Sequence, residues 1–87
     1  MKIIFSSQAW QDYLDYLHWQ RADRKILKRI NGLIQEITRT PFARTGKPEP
    51  LRHALAGYWS RRIDDEHRLV YKIDGDAVLI AQVRYQY

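Results

Sequence analysis

The sequence predicts an α+β domain: an antiparallel sheet with two N-terminal helices packed on one face. Three observations lead there. Two amphipathic helical patterns occupy the N-terminal half, residues 41–50 form a loop with three prolines and a glycine, and the rest reads as hairpin-connected strands. Eighty-seven residues, 45% of them hydrophobic and including three Trp and six Tyr, suffice for one core, so 1–87 is expected to be a single domain.

Each element follows from its local chemistry. Lys2 to Phe5 reads as a short strand. Ser6 or Ser7 can cap a helix in which Trp10, Tyr13, Leu14 and Leu17 recur at helical spacing and form the expected apolar stripe. The pattern resets around Arg21-Ala22-Asp23, with Asp23 as the cap of a second helix. Its stripe is Ile26, Leu27, Ile30, Leu33, Ile34 and Ile37, and Thr40-Pro41 stops it. Beyond the proline-rich loop, Leu51 to Leu55 is expected as a short edge strand. Gly57 to Ile63, His67 to Ile73 and Ala77 to Tyr87 follow as strands, turned by Asp64-Asp65 and Asp74-Gly75. A two-residue turn at Asp74-Gly75 would put Arg68 on the sheet face of Tyr85 and Tyr87; a three-residue loop through Asp76 would put it with Arg84 and Gln86.

Composition narrows the functional classes. The chain has no cysteine, which excludes disulfides and thiolate metal sites and fits a reducing compartment. The apolar run at Met1-Lys2-Ile3-Ile4-Phe5 is too short for a signal peptide, and no segment is long enough for a membrane span, so a cytoplasmic setting without membrane contact is expected. Fifteen Lys/Arg oppose ten Asp/Glu. From Arg39 to Arg62 the bases Arg39, Arg44, Lys47, Arg52, Arg61 and Arg62 face a single acid, Glu49. That clustering, with Trp and Tyr interleaved, points to a polyanionic partner, nucleic acid or an acidic protein segment, over a merely solvated basic face.

Glu49 is the most distinctive single position. It lies between Pro48 and Pro50, which stiffen the loop and push Glu49 into an extended conformation. A carboxylate so held is preorganised for general-base work, although a surface ion pair with Lys47 or Arg52 accounts for it equally well. Closure of the turn at 63–66 would bring Arg62 beside Arg68, and two adjacent guanidiniums call for an anion such as phosphate, or for Glu66 as a neutralising partner. His18, His53 and His67 have no metal-ligand spacing, and no role follows for His53 or His67. No nucleophilic triad, glycine-rich phosphate loop or metal carboxylate cluster is present, so neither metal nor cofactor is expected. The chain ends Arg84-Tyr85-Gln86-Tyr87, a guanidinium, two phenols and an amide on a strand-like run, and is expected to be held in place and to bind phosphate and bases. One carboxylate, several arginines, tyrosines and an amide are the vocabulary of metal-free RNA cleavage, in which a base removes the 2′-hydroxyl proton and cations stabilise the phosphorane.

Gly46-Lys47-Pro48-Glu49-Pro50-Leu51, Gly57-x-Trp59-Ser60-Arg61-Arg62-Ile63, Glu66-His67-Arg68-Leu69-Val70-Tyr71 and the terminal Tyr85-x-Tyr87, in this order, resemble the YoeB (Txe/YoeB) toxins of bacterial toxin–antitoxin systems, within the RelE superfamily. Trp10-x-x-Tyr13 and Arg39-x-Pro41-Phe42 extend the resemblance over essentially the whole chain. It implies a microbial-ribonuclease-like fold, ribosome-dependent and metal-independent mRNA cleavage, and inhibition by a cognate YefM-type antitoxin; members often form homodimers. By the same motifs Glu49 corresponds to the general base and Arg68 to the transition-state arginine. Lys47, Arg52 and Arg62 match basic positions at the RNA site, Glu66 matches a nearby acid, and Tyr87 the substrate-placing C-terminal tyrosine. Arg84 joins the expected RNA-binding set from its place in the tail.

Gln86 departs from the family pattern, which ends Tyr-His-Tyr with the penultimate histidine as general acid. An amide donates a hydrogen bond but delivers no proton. If the histidine's role is proton donation, Gln86 should slow the chemical step by roughly 10²–10⁴; if the role is positioning, Gln86 retains much of it. Two readings follow: a nuclease toxin with reduced activity, or a catalytically inactive ribosome- or antitoxin-binding homologue.

Overall fold

The computed structural model describes residues 1–19, 24–41 and 46–86, and the backbone but not the side chains of Trp19 and Gln86. Its order is β1 (Lys2–Phe5), α1 (Ser7–Trp19), α2 (Arg24–Arg39), β2 (Glu49–Pro50), a 3₁₀ turn (His53–Leu55), β3 (Trp59–Arg62), β4 (His67–Asp74) and β5 (Ala77–Gln86). The expected α+β class holds. The sheet runs β1-β5-β4-β3-β2, with β2 to β5 antiparallel as expected and β1 added in parallel to β5, which makes the sheet mixed. The core lies between one sheet face and the helices, and joins Ala9, Tyr16, Ile30, Leu33, Ile34 and Ile37 to Ile63, Leu69, Tyr71, Val78, Ile80 and Val83.

The second helix buries Ile30, Leu33, Ile34 and Ile37 of its expected stripe, with Ile26 and Leu27 packed at the margin. Its expected cap, Asp23, lies outside the described residues. The first helix departs from expectation. Trp10 and Leu17 are exposed, while Ala9, Asp12 and Tyr16 are buried, so the inward face is turned by one position from the apolar stripe. The cause is polar. The Val83 backbone N–H donates to Asp12 Oδ2 at 3.0 Å, and Gln8 Nε2 donates to Asp12 Oδ1 at 2.8 Å. Ser6 is the cap: its Oγ accepts from the Ala9 N–H (3.0 Å) and donates to the Ala81 carbonyl (2.7 Å).

Those two anchors answer to irregularities in β5. The register shifts between Tyr71 and Val70 and again between Val70 and Arg68, leaving extra residues in β5 near Ala81 and at Val83-Arg84. A bulge takes backbone groups out of the ladder, and buried ones must find other partners. Here Ser6 takes the Ala81 carbonyl and Asp12 the Val83 N–H.

The β4–β5 turn is Gly75-Asp76, closed by the Asp74–Ala77 pair, one position later than expected but of two residues, with Gly75 at φ +58°. Because the two shifts add two residues together, the face relation is kept and Arg68 stands opposite Tyr85. The expected edge strand at Leu51 to Leu55 is a correction. The edge strand is Glu49–Pro50, paired to Ser60 and Trp59, and His53 at φ +57° breaks the extended run into the 3₁₀ turn. Proline at an edge costs no ladder bond to the outside.

Candidate active site

The sheet face turned away from the helices gathers the chemistry. Register sets Glu49 beside Ser60, Ser60 beside Val70, Arg62 beside Arg68, and Arg68 beside Tyr85, and cross-strand partners share a face. Arg68 is 1% exposed. Burying a guanidinium is costly unless its N–H groups are satisfied. Its Nε donates to Ser60 Oγ at 2.7 Å, and its Nη2 to the Lys47 carbonyl at 3.0 Å and the Ser60 carbonyl at 3.3 Å. Glu49 Oε1 stands 3.9 Å from Nη2, on a side chain that is half exposed. Carboxylate and guanidinium thus form an ion pair whose acidic partner stays open to a ligand.

The loop before β2 is shaped to make this possible. Gly46 has φ +77°, and a Cβ there would lie 3.1 Å from Arg61 Cβ and 3.2 Å from Leu33 Cδ2, so a side chain would be both strained and crowded. Its carbonyl accepts the Arg62 N–H at 2.7 Å. Lys47 follows at φ +50°, a strained conformation for a residue with a side chain, and this turns its carbonyl onto Arg68.

The other expected site residues divide. Lys47, Arg52 and Arg62 are exposed, on the Glu49 loop, just beyond it, and opposite Arg68 respectively, so they supply the basic surround. Arg84 is not brought to this group. It reaches back to α1, with Nη1 3.3 Å from Asp15 Oδ2 and its guanidinium 5.9 Å from the Tyr16 ring, because the bulge turns Val83 and Arg84 toward the helices. Glu66 is exposed in the 63–66 turn, and among the described residues it makes no ion pair with Arg62 or Arg68; Glu49 is the carboxylate beside Arg68. Gln86 pairs with His67 at the ladder's end, and its side chain and all of Tyr87 lie outside the described residues.

One residue escaped the sequence reading. Ser60 holds the central arginine, and its only signal was a small polar residue inside Trp59-Ser60-Arg61-Arg62. Tyr85 faces Arg68, as the two-residue-turn alternative expects, through a register that two bulges set. His67 serves structure, packing edge-on against Tyr16 with Nδ1 3.3 Å from Asp64 Oδ1. Burial works to raise the Asp64 carboxyl, but hydrogen bonds from the His67 and Glu66 backbone and from the His67 ring outweigh it and hold it below the ordinary 3.8. Burial, reinforced by the Asp64 charge, pushes the Tyr16 phenol up to about 12. Among the described residues no group of three or more His, Cys, Asp or Glu could hold a metal ion, and no helix is long and apolar enough to cross a membrane.

The fold is one shared with small bacterial toxins: the YoeB/ParE toxin from Agrobacterium tumefaciens superposes with a TM-score of 0.86 at 46% identity, covering 100% of both chains. Residues 5–87 match the model of the YoeB-like toxins of bacterial type II toxin–antitoxin systems, and the chain belongs to that family. It is 55% identical to the toxin YoeB of Escherichia coli K12 over the whole length of both chains. The YoeB dimer from Staphylococcus aureus superposes with a TM-score of 0.86 at 44% identity, covering 100% of this chain and 98% of that one. The toxin in a heterotetrameric YoeB–YefM complex from the same organism gives 0.84 at 44% identity with the same coverage.

Proposed function

We propose that this toxin is a ribosome-dependent endoribonuclease that cuts mRNA without a metal and so arrests translation in the cytoplasm. The observation that carries the reading is the half-exposed Glu49 carboxylate set 3.9 Å from a buried, fully oriented Arg68. Glu49 takes the proton of a ribose 2′-hydroxyl, and the resulting oxygen attacks the adjacent phosphorus. Arg68 stabilises the added negative charge of the phosphorane, with Lys47, Arg52 and Arg62 holding the flanking phosphates. Collapse expels the 5′-oxygen and leaves a 2′,3′-cyclic phosphate. Tyr87 places the substrate, and Gln86 hydrogen-bonds the leaving oxygen while solvent supplies its proton, which makes the step slower than with an acid at that position. The chain acts as one domain, 1–87. YefM-bound and dimeric relatives support a YefM-type antitoxin as inhibitor and a homodimer as the free state.

Primer extension on mRNA under translation tests this. Site-specific cut ends are expected with the toxin and not with Glu49→Ala. Ribosome binding with no cut ends in either would favour a non-catalytic binding homologue, a reading that Gln86 alone motivates.

A further inference from the structure

We propose that Ser60 is the positioning residue of this site, the group that aims Arg68 at the reacting phosphate; the inference rests on the nuclease reading above. Ser60 is fully buried at the middle of the site face, with Glu49 as its neighbour on β2 and Val70 on β4. It touches Arg68 twice, through Oγ to Nε at 2.7 Å and through its carbonyl to Nη2 at 3.3 Å. With the Lys47 carbonyl at 3.0 Å, the Nε–Nη2 side of the guanidinium is committed to protein acceptors.

All three acceptors are neutral. A carboxylate in Ser60's place would fix the arginine as firmly but would cancel the charge the phosphorane needs. A hydroxyl and two carbonyls fix orientation and leave the positive charge intact. The carboxylate paired with Arg68, Glu49, lies 3.9 Å from Nη2 on a half-exposed side chain, from which it can also reach a 2′-hydroxyl. Without Oγ the buried Nε–H loses its partner, and the guanidinium can regain one by swinging toward Glu49, which would spoil base and cation together.

The test compares wild type, Ser60→Ala, Arg68→Lys and the double variant in single-turnover cleavage of ribosome-bound mRNA, with ¹⁵N NMR of the arginine Nε–H groups. Ser60→Ala is expected to lower the maximal rate on the order of 10²-fold, the cost of a displacement near 1 Å, with half-saturating ribosome concentration changed less than about threefold. Lysine has no Nε–H, so Ser60→Ala in the Arg68→Lys background should cost less than about twofold if it acts through the arginine. The Arg68 Nε–H resonance should be slow to exchange in wild type and lose that protection in Ser60→Ala. Equal cleavage by wild type and Ser60→Ala, full additivity in the double variant, or an unaltered Arg68 resonance overturns the proposal. A wild type that never cuts overturns the nuclease reading and this role with it. If Ser60→Ala does not fold, Ser60→Thr decides, because a hydroxyl-retaining variant should cleave within about fivefold of wild type and one as impaired as Arg68→Lys contradicts the role.

Discussion

Arg61 and Arg68 are two buried arginines on adjacent strands, and both donate to a carbonyl of the segment leading into β2. They face opposite sides of the sheet. Arg61 points at the helices, where Nε donates to the Tyr71 hydroxyl at 2.9 Å, Nη2 to the Pro41 carbonyl at 2.9 Å, and Glu36 lies 3.9 Å from Nη1. Its guanidinium also sits 5.4 Å from the Tyr71 ring centroid. Arg68 has the same kinds of partners, but its carboxylate is on a two-residue edge strand with a side chain 52% exposed, against 26% for Glu36. Burial and hydrogen bonding alone therefore do not distinguish the two arginines. What distinguishes them is whether the paired carboxylate is open to a ligand, and on that difference the proposed nuclease gives Arg68 the catalytic role.

The comparison can be broken in order of effect. Arg68→Ala is expected to lower mRNA cleavage on the order of 10³-fold, as loss of a main oxyanion-stabilising donor does. Arg61→Ala should act on folding instead, costing about 3 kcal/mol through the uncompensated loss of a buried pair and lowering the thermal midpoint by more than about 10 °C. Cleavage by that variant, measured well below its midpoint, should fall far less than in Arg68→Ala. Asp12→Ala sharpens the structural side: a buried backbone donor on the β5 bulge loses its partner, with an expected cost of about 2 kcal/mol in denaturant unfolding. Gln86→His sharpens the functional side, raising cleavage at least about tenfold with antitoxin affinity and thermal midpoint nearly unchanged. Equal cleavage by both forms would remove the general-acid argument.

Smallest is a pH effect remote from the site. Asp64 ionises more readily when folded, so its stabilisation is present above the unfolded value of 3.8 and is lost as pH falls through the lower folded value. Tyr16 runs the other way at the alkaline end: its phenol is raised from 10.0 to about 12, so its share of stability is intact below pH 10 and lost between there and about 12. Asp64→Asn should flatten the acid limb of the thermal midpoint against pH, and Tyr16→Phe the alkaline limb.

The fold was legible where side-chain pattern and backbone geometry coincide. The apolar stripe of α2 and the extended Glu49 between two prolines read directly, and the β4–β5 hairpin did so to within one position of its turn. So did the pairing of Arg62 with Arg68, which follows from a short turn. The inward face of α1 did not, because pattern reading counts Asp12 as surface when its work is to satisfy a backbone N–H on a bulge. The bulges carry no residue signature, yet they decide that Tyr85 meets Arg68 and that Arg84 joins Asp15. Ser60 was hidden for a related reason. A serine's value here depends on the arginine across the strand, and Arg61 and Arg68 look alike until register assigns them to opposite faces.

The most direct test of the central claim is the chemistry of the cut ends. Attack by a 2′-hydroxyl that Glu49 deprotonates should leave a 2′,3′-cyclic phosphate on one fragment and a 5′-hydroxyl on the other, so the downstream fragment should accept phosphate from a polynucleotide kinase without prior phosphatase treatment. A 2′-deoxy substitution at the scissile nucleotide, or Glu49→Gln in the protein, should abolish the cut. Fragments bearing 5′-phosphates, or cleavage that survives the deoxy substitution, would contradict the assignment of Glu49 and Arg68 as base and transition-state cation.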